Sequence, residues 1–338
     1  MPAAFCLIKN RLTIHRSNRF YNPCSGGILF AYHAVYLHMK FGAVPIQQLP
    51  SVDFTLPPDP PFNDEVLRGK RVKYPAVYVG AGTWGDASWV GNVYPPKTPA
   101  KAFRNVYPQY FNAAELNATH YNIYSPEIIA QWAAAAKDRN FKYCPKFPQS
   151  ISHYSNFENT AAETAAFLES IEAFGPHLGP LFLQTSESFP LASRHSLFKY
   201  LATLPQKHTY FLEVRHPQWY ESSEAVLTWM QVLRQLDIGA VITDTPGRRD
   251  AVHMHLPLPK LFLRFVCNET HPTSFQRIDA WVGRIAQWID AGLQEAYIFL
   301  HPGSDGAVPE LATYWINQLN EHCGLQLQPP LPKQTRLF

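Results

Sequence analysis

From Val77 onward, short apolar runs of strand length alternate with amphipathic stretches of helical length, and this alternation constrains the fold more than any other feature. Strands separated by helices become parallel neighbours, because a chain that returns to the same end of a sheet needs a long crossover. Apolar runs fall at about 76–81, 113–116, 141–146, 180–184, 210–215, 240–243, 261–265 and 296–300. Helical spacing falls at about 99–110, 126–138, 161–174, 191–204, 223–236, 275–291 and 309–321. In the second of these, Ile128, Ile129, Trp132 and Ala136 recur at helical intervals. The connection 245–260 is proline-rich and carries no helical pattern. The pattern predicts an α/β fold, a TIM-like (β/α)8 barrel with a shortened crossover between strands six and seven. An open doubly wound sheet is the competing arrangement. It would carry a glycine-rich phosphate loop after its first strand, and Gly80-Ala81-Gly82-Thr83-Trp84-Gly85 has a bulky Trp84 and the wrong spacing.

At 338 residues, 46% hydrophobic and 16% charged, the chain has the composition of a globular protein with a substantial core. No apolar run reaches the roughly 18 residues of a membrane span, and residues 28–37 lack the cleavage site of a secretory signal. The five cysteines are scattered with no Cys-x-x-Cys pair, which argues against a disulfide framework or thiolate zinc site and for a cytoplasmic location. The net charge of +3 arises in residues 1–38, which contain Lys9, Arg11, Arg16 and Arg19 and no acid; the remainder has 25 basic against 26 acidic residues. A nucleic-acid binder would show its basic face in the folded part, so neither nucleic acid nor membrane is an expected partner. The expected partner is a small-molecule substrate; the oligomeric state is not readable. Residues 1–38 read as an upstream extension of the reading frame or a disordered arm, with Met39 as an alternative start. Residues 39–75 read as a proline-rich strap, 76–325 as a single barrel domain and 326–338 as a tail.

In a barrel, alternate strand residues face inward and function gathers at the C-terminal strand ends. Alternation places Glu115 with Asn117, Cys144 with Lys146, Phe182 with Gln184, and Phe211 with Glu213 and Arg215. Asp244 ends strand six, Arg264 shares a face with Phe262, and His301 follows Tyr297 and Phe299. Charges facing inward are costly unless paired or used. One reading is a salt-bridge layer, pairing Glu213 with Arg215 or Arg264, and Glu115 with Lys146. The other is a site. There, Glu213 or Glu115 is the expected general base or acid, Asp244 and His301 are second acid/base or orienting groups, and Lys146, Arg215 and Arg264 hold an anion. Asn117, Gln184, His153, Tyr121, Trp84 and Trp219 are further expected binding residues, the aromatics as pocket walls. Lys146 is a Schiff-base candidate only where burial lowers its pKa, a shift that a nearby carboxylate would oppose.

No cofactor is expected. Glu115, Glu213, Asp244 and His301 resemble a divalent-cation set, but Lys146, Arg215 and Arg264 would repel a cation. His253 and His255 have a chelating spacing without a matching third ligand. Gly247-Arg248-Arg249-Asp250 reads mainly as a solvated charge cluster, with binding of an anion or a neighbouring subunit as the sharper alternative. The leading functional expectation is a hydrolase or isomerase acting on a small hydroxylated anion. The alternative is a barrel that binds a small molecule or macromolecule without turnover.

These residues also carry a resemblance. Trp84, Trp89-Val90-Gly91, Tyr94-Pro95, Glu115-Leu116-Asn117, Tyr121, Trp132, Pro145-Lys146, Ser152-His153, Glu213-Val214-Arg215, Trp219 and Asp244 follow a family pattern. It is that of the domain of unknown function 72 family, also called YecE-like, and the likeness runs from about 77 to about 319. Residues 51–57 and 245–250 resemble a Bacteroides-type subgroup. The resemblance implies a TIM barrel and no particular activity. His120 and Cys267 depart from it, standing where Phe and Gly are usual.

Overall fold

The structure, a computed structural model, describes residues 41–303 and 305–331. The expected extension at 1–38 and the last residues of the tail lie outside them. Eight strands form the barrel: β1 Ala76–Ala81, β2 Ala113–Leu116, β3 Lys142–Pro145, β4 Leu181–Gln184, β5 Tyr210–Glu213, β6 Ile238–Asp244, β7 Lys260–Val266 and β8 Glu295–His301. All pairings are parallel, in the order β3-β2-β1-β8-β7-β6-β5-β4. The ring closes between β3 and β4 through the bridges Tyr143↔Leu178 and Lys146↔Phe182, and the Phe147 N–H donates to the Phe182 carbonyl at 2.9 Å. The expected TIM-like barrel is therefore present.

Alternation along each strand sorts two cores. The inner one is Tyr78, Ala113, Cys144, Phe182, Phe211, Val241, Phe262, Tyr297 and Phe299, with the Phe262 ring 5.1–5.3 Å from those of Phe182, Phe211 and Phe299. These side chains fill the barrel below the rim, so polar groups can gather only above them. The outer core packs strands against helices α1 Phe62–Leu67, α2 Phe103–Val106, α3 Ala118–Tyr121, α4 Pro126–Ala134, α5 Ala161–Glu172, α6 Arg194–Leu201, α7 Ser223–Gln235, α8 Pro272–Ala291 and α9 Val308–Cys323. Among the described residues, no helix is long and apolar enough to cross a membrane.

Two stretches differ from the sequence reading. The helix expected over 99–110 is broken into single turns, α2 being flanked by 3-10 turns at Ala100–Ala102 and Tyr107–Gln109. Pro108 has no amide hydrogen to extend a helix. Tyr107 instead ties β1 to β2, its hydroxyl accepting from the Ala81 N–H and donating to the Ala113 carbonyl. Secondly, the proline-rich segment holds the helix α1, which sequence periodicity did not reveal.

The crossover from β6 to β7 contains only the 3-10 turn Arg249–Ala251. Helix α1 stands between α7 and α8, where a full crossover helix would pack. Arg234 of α7 pairs with Glu65 and lies over the Phe62 ring, while the Val72 N–H donates to the Ile289 carbonyl at the end of α8. Buried Asn63 fixes the arrangement: its amide donates to the Met254 carbonyl at 2.8 Å and accepts from the Leu256 N–H at 2.9 Å. Asn63→Ala strips two buried backbone groups of their partners, and a loss of about 2–3 kcal/mol is expected in chemical denaturation.

Candidate functional site

The strand ends bring one connected set of polar side chains to the barrel mouth. Arg264 on β7 is its hub. Its Nε and Nη2 donate to Glu115 of β2 at 2.8 and 2.9 Å, and its Nη1 donates to Glu213 of β5 at 2.7 Å. Glu115 also accepts from Asn117 Nδ2 at 2.9 Å and meets His301 Nε2 at 3.0 Å. Glu213 also accepts from Gln184 Nε2 at 2.6 Å, Thr243 Oγ1 at 3.0 Å and Arg215 Nε at 3.1 Å. Each carboxylate thus accepts four hydrogen bonds, the full complement of its lone pairs. Lys146, following β3, donates to Gln184 Oε1 at 2.7 Å. Gly82 leaves room for this floor, since a Cβ there would lie 2.8 Å from Asn117 Nδ2 and 3.2 Å from His301 Cε1.

Electrostatics divides the set by role. Burial alone would raise both carboxyls, but the cations outweigh it. Arg264 and His301 hold Glu115 well below the usual range, and Arg215 with Arg264 brings Glu213 down to about 2. Both are therefore ionised at neutral pH. Lys146 moves the other way, brought down to about 7 by burial first and then by Arg264 and Arg215, against the opposing pull of Glu213 and Glu115. The carboxylate objection to a reactive Lys146 loses on magnitude, because Arg264 absorbs both negative charges.

Two imidazoles border Lys146. His120 Nδ1 meets the Phe147 carbonyl at 2.7 Å, His153 Nδ1 meets Ser152 Oγ at 2.8 Å, and the rings stand edge to face 4.9 Å apart. Burial, then Lys146, keeps them neutral, His120 at about 3 and His153 at about 4. His153 sits in a π-helical turn, Ser150–Tyr154, a distortion often found at functional sites. Tyr121 is 53% exposed and packs edge-on to His120.

The structure therefore gathers Glu115, Asn117, Lys146, Gln184, Glu213, Arg215, Arg264 and His301, with His153 and Tyr121 beside them. It does not bring in Asp244. Val241 and Thr243 take the inward positions of β6, so Asp244 points out toward α8. There it is fully buried, binding Arg249, Arg277 and, at 2.6 Å, Trp281 Nε1. Trp219 is also away from the mouth, packed on Phe189 and Trp229 with its Nε1 donating to the Phe189 carbonyl. Trp84 packs edge-on against Tyr107, Trp132 and Tyr143, and its carbonyl accepts from the Tyr94 hydroxyl. The expected Glu115–Lys146 pair is replaced by Glu115–Arg264.

Thr243 belongs to the site without having been expected there, and His120, a departure from the family pattern that could reshape the pocket mouth, lies beside it. Strand parity from Val241 points to Thr243, whereas nothing in sequence signals that His120 would meet His153. As a cation site the rim is ill formed, because Arg264 fills the space between the two glutamates. Among the described residues, no group of three or more His, Cys, Asp or Glu gathers to hold a metal. His253 and His255 hydrogen-bond to the Val241 and His253 carbonyls instead.

Comparison with known proteins agrees with this architecture. A family model described as "Protein of unknown function DUF72" matches residues 78–336. The UPF0759 protein YecE of Escherichia coli K12 is 27% identical over 281 residues, covering 78% of this chain and all of that protein. A DUF72 family protein of Enterococcus faecalis V583 superposes with a TM-score of 0.56 at 17% identity, covering 75% of this chain and 100% of its own. One from Thermotoga maritima MSB8 does so with a TM-score of 0.54 at 19% identity, covering 72% and 99%. At such identities the two structures support the fold alone.

Proposed function

This chain belongs to the DUF72 family, and from that premise we propose that its barrel mouth binds a small hydroxylated anion and moves a proton on it with Lys146. One observation carries the reading: Lys146 is a buried amine with its pKa brought to about 7 at a strand end, among groups whose own ionisation is fixed. A base poised near the working pH is what proton abstraction requires. Arg215 would hold the anionic group, leaving Lys146 as the free amine. Neutral His120, whose Nδ1 donates to the Phe147 carbonyl, has Nε2 as an acceptor for a substrate hydroxyl, and neutral His153, engaged at Nδ1 by Ser152 Oγ, offers its Nε2 as a second polar contact. In the reaction, on an anion that carries a hydroxyl beside a carbonyl, Lys146 Nζ takes the proton from the hydroxyl-bearing carbon and returns it to the former carbonyl carbon, while the hydroxyl proton passes to the former carbonyl oxygen, so no atom is gained or lost. Gln184 Oε1 and the Glu213 charge stabilise the ammonium formed between the two steps.

Glu115 and Glu213 then act as a fixed anionic scaffold for Arg264 and Arg215, in place of the general acid/base role expected of them. This favours isomerisation over glycoside hydrolysis, which needs one carboxylic acid in its protonated form. Asp244 takes no part in the chemistry, and His301 orients Glu115. The proposal includes a cytoplasmic location, consistent with Cys144, Cys267 and Cys323 being buried free thiols. It requires no metal or cofactor.

A thermal-shift screen tests the reading against hydroxy acids, sugar acids, sugar phosphates and their uncharged analogues. Anionic polyols are expected to raise the melting temperature and the uncharged analogues to leave it unchanged. A response to uncharged sugars alone would overturn the proposal.

A further inference from the structure

The segment before β1 lies outside the family-matched region, yet it reaches the site. Phe41 is buried with two guanidinium groups close to its ring, Arg215 Cζ at 4.6 Å from the ring centroid and Arg248 Cζ at 4.9 Å. The backbone there is fastened to the loop after β6. Thr245 Oγ1 donates to the Phe41 carbonyl at 3.0 Å, and the Gly247 N–H donates to the Gly42 carbonyl at 2.6 Å. Gly42 has φ +67°, and a Cβ on it would lie 2.6 Å from Thr245 Cγ2, so no other residue passes there without displacement. Arg248 adds a further tie, its Nη1 donating to the Arg215 carbonyl at 2.9 Å.

A second ring repeats the arrangement. Phe54 lies under Arg249 Cζ at 5.4 Å and Arg277 Cζ at 5.0 Å, the two arginines that bind Asp244. The outward Asp244 and the charged loop 247–250 thereby acquire a common purpose. They present arginines on which an aromatic strap is clasped at two points. Only the first clasp touches the site, because Arg215 also donates to Glu213. A long arginine side chain loses considerable rotamer freedom when it is held in one geometry. The roof supplied by Phe41 accounts for how Arg215 is kept over the mouth.

We propose that Phe41 is a positioning residue of the anion site, clamping Arg215 from a strap that the barrel itself does not contain. Its role toward the anion rests on the site reading above, whereas the clamp does not.

The experiment compares the wild-type protein with Phe41→Leu, which keeps apolar volume but removes the ring face, and with Phe41→Trp, which keeps the face. Exchange of the Arg215 Nε–H is followed by NMR, its signal identified by loss in Arg215→Lys, and inorganic phosphate binding is measured by calorimetry. Phe41→Leu is expected to accelerate the exchange and weaken phosphate binding about tenfold, equivalent to about 1.4 kcal/mol, with little change in melting temperature. Phe41→Trp is expected to retain both. Unchanged exchange in Phe41→Leu would overturn the clamp, and accelerated exchange with unchanged phosphate affinity would overturn its role in the site. Wild-type protein without phosphate affinity would count against the anion reading and that role, while the exchange result would still decide the clamp.

Discussion

Arg264→Met is expected to destabilise the protein by about 3–5 kcal/mol, the cost of leaving buried carboxylates without their charge partner. Arg264 engages Glu115 through two nitrogens and Glu213 through a third, and all three residues are buried. Arg264→Lys is expected to recover little, because one ammonium cannot reproduce a planar fork spanning two carboxylates. The triple change Arg264→Met, Glu115→Gln, Glu213→Gln should be milder than the single one, since it removes the stranded charges together with their partner.

The pH dependence gives the sign. In the wild type both carboxyls have folded pKa values below the ordinary glutamate value of 4.5. Their contribution is therefore fully present above about 4.5 and is lost as pH falls toward the value of about 2 held by Glu213. In Arg264→Met burial acts on Glu115 without its main counterweight and pushes it upward, while Glu213 keeps Arg215, its larger counterweight. Stability should then improve as pH falls from neutrality, opposite to the wild type. Denaturation midpoints between pH 4 and 7 check this, and parallel slopes in the two proteins would show that Arg264 does not govern the carboxylates.

Lys146→Met is expected to produce the opposite pattern. The folded pKa of Lys146 lies below the ordinary lysine value of 10.5, so the unfolded chain binds more protons between about 7 and 10.5. This group therefore makes wild-type stability rise with pH across that window, and the rise should vanish in the variant. Losing the buried ammonium favours the folded state, while losing the partner of Gln184 Oε1 opposes it, so the net change should stay within about 2 kcal/mol. Function should respond far more. Turnover of any anionic polyol identified in the screen is expected to fall by about 10²–10⁴-fold, the usual contribution of a positioned general base. A structural lysine would show the reverse, a large stability loss with function retained.

Much of this was legible because a strand has period two and a barrel has an inside. Glu115, Gln184, Glu213 and Arg264 each sit two positions after an inner core residue: Ala113, Phe182, Phe211 and Phe262. The same rule, applied to Val241, selects Thr243 and rejects Asp244. Asp244 ends its strand, but its position there does not override the parity that turns it outward. Trp84 and Trp219 show a second limit. An aromatic following a strand end can turn toward the helices as readily as toward the mouth, and local sequence does not distinguish the two.

What sequence could not supply is partnership at long range. Arg264 meets Glu115 across 149 residues, and Thr245 meets Phe41 across 204. The ionisation of Lys146 depends on where Arg264 and Arg215 lie, so its pKa followed only from the folded arrangement. Helix α1 was hidden for a different reason. It has six residues, too few to establish a period, and it is held by Asn63 and its packing between α7 and α8.

The central claim is that Lys146 is a buried amine poised near neutrality, and its titration tests this most directly. The protein is treated with an amine-acylating reagent over pH 5–11, and the modification of Lys146 is followed by mass spectrometry, with surface lysines as internal standards. The account predicts a Lys146 midpoint near 7, well separated from the ordinary lysine range near 10.5. A midpoint within that ordinary range would contradict it.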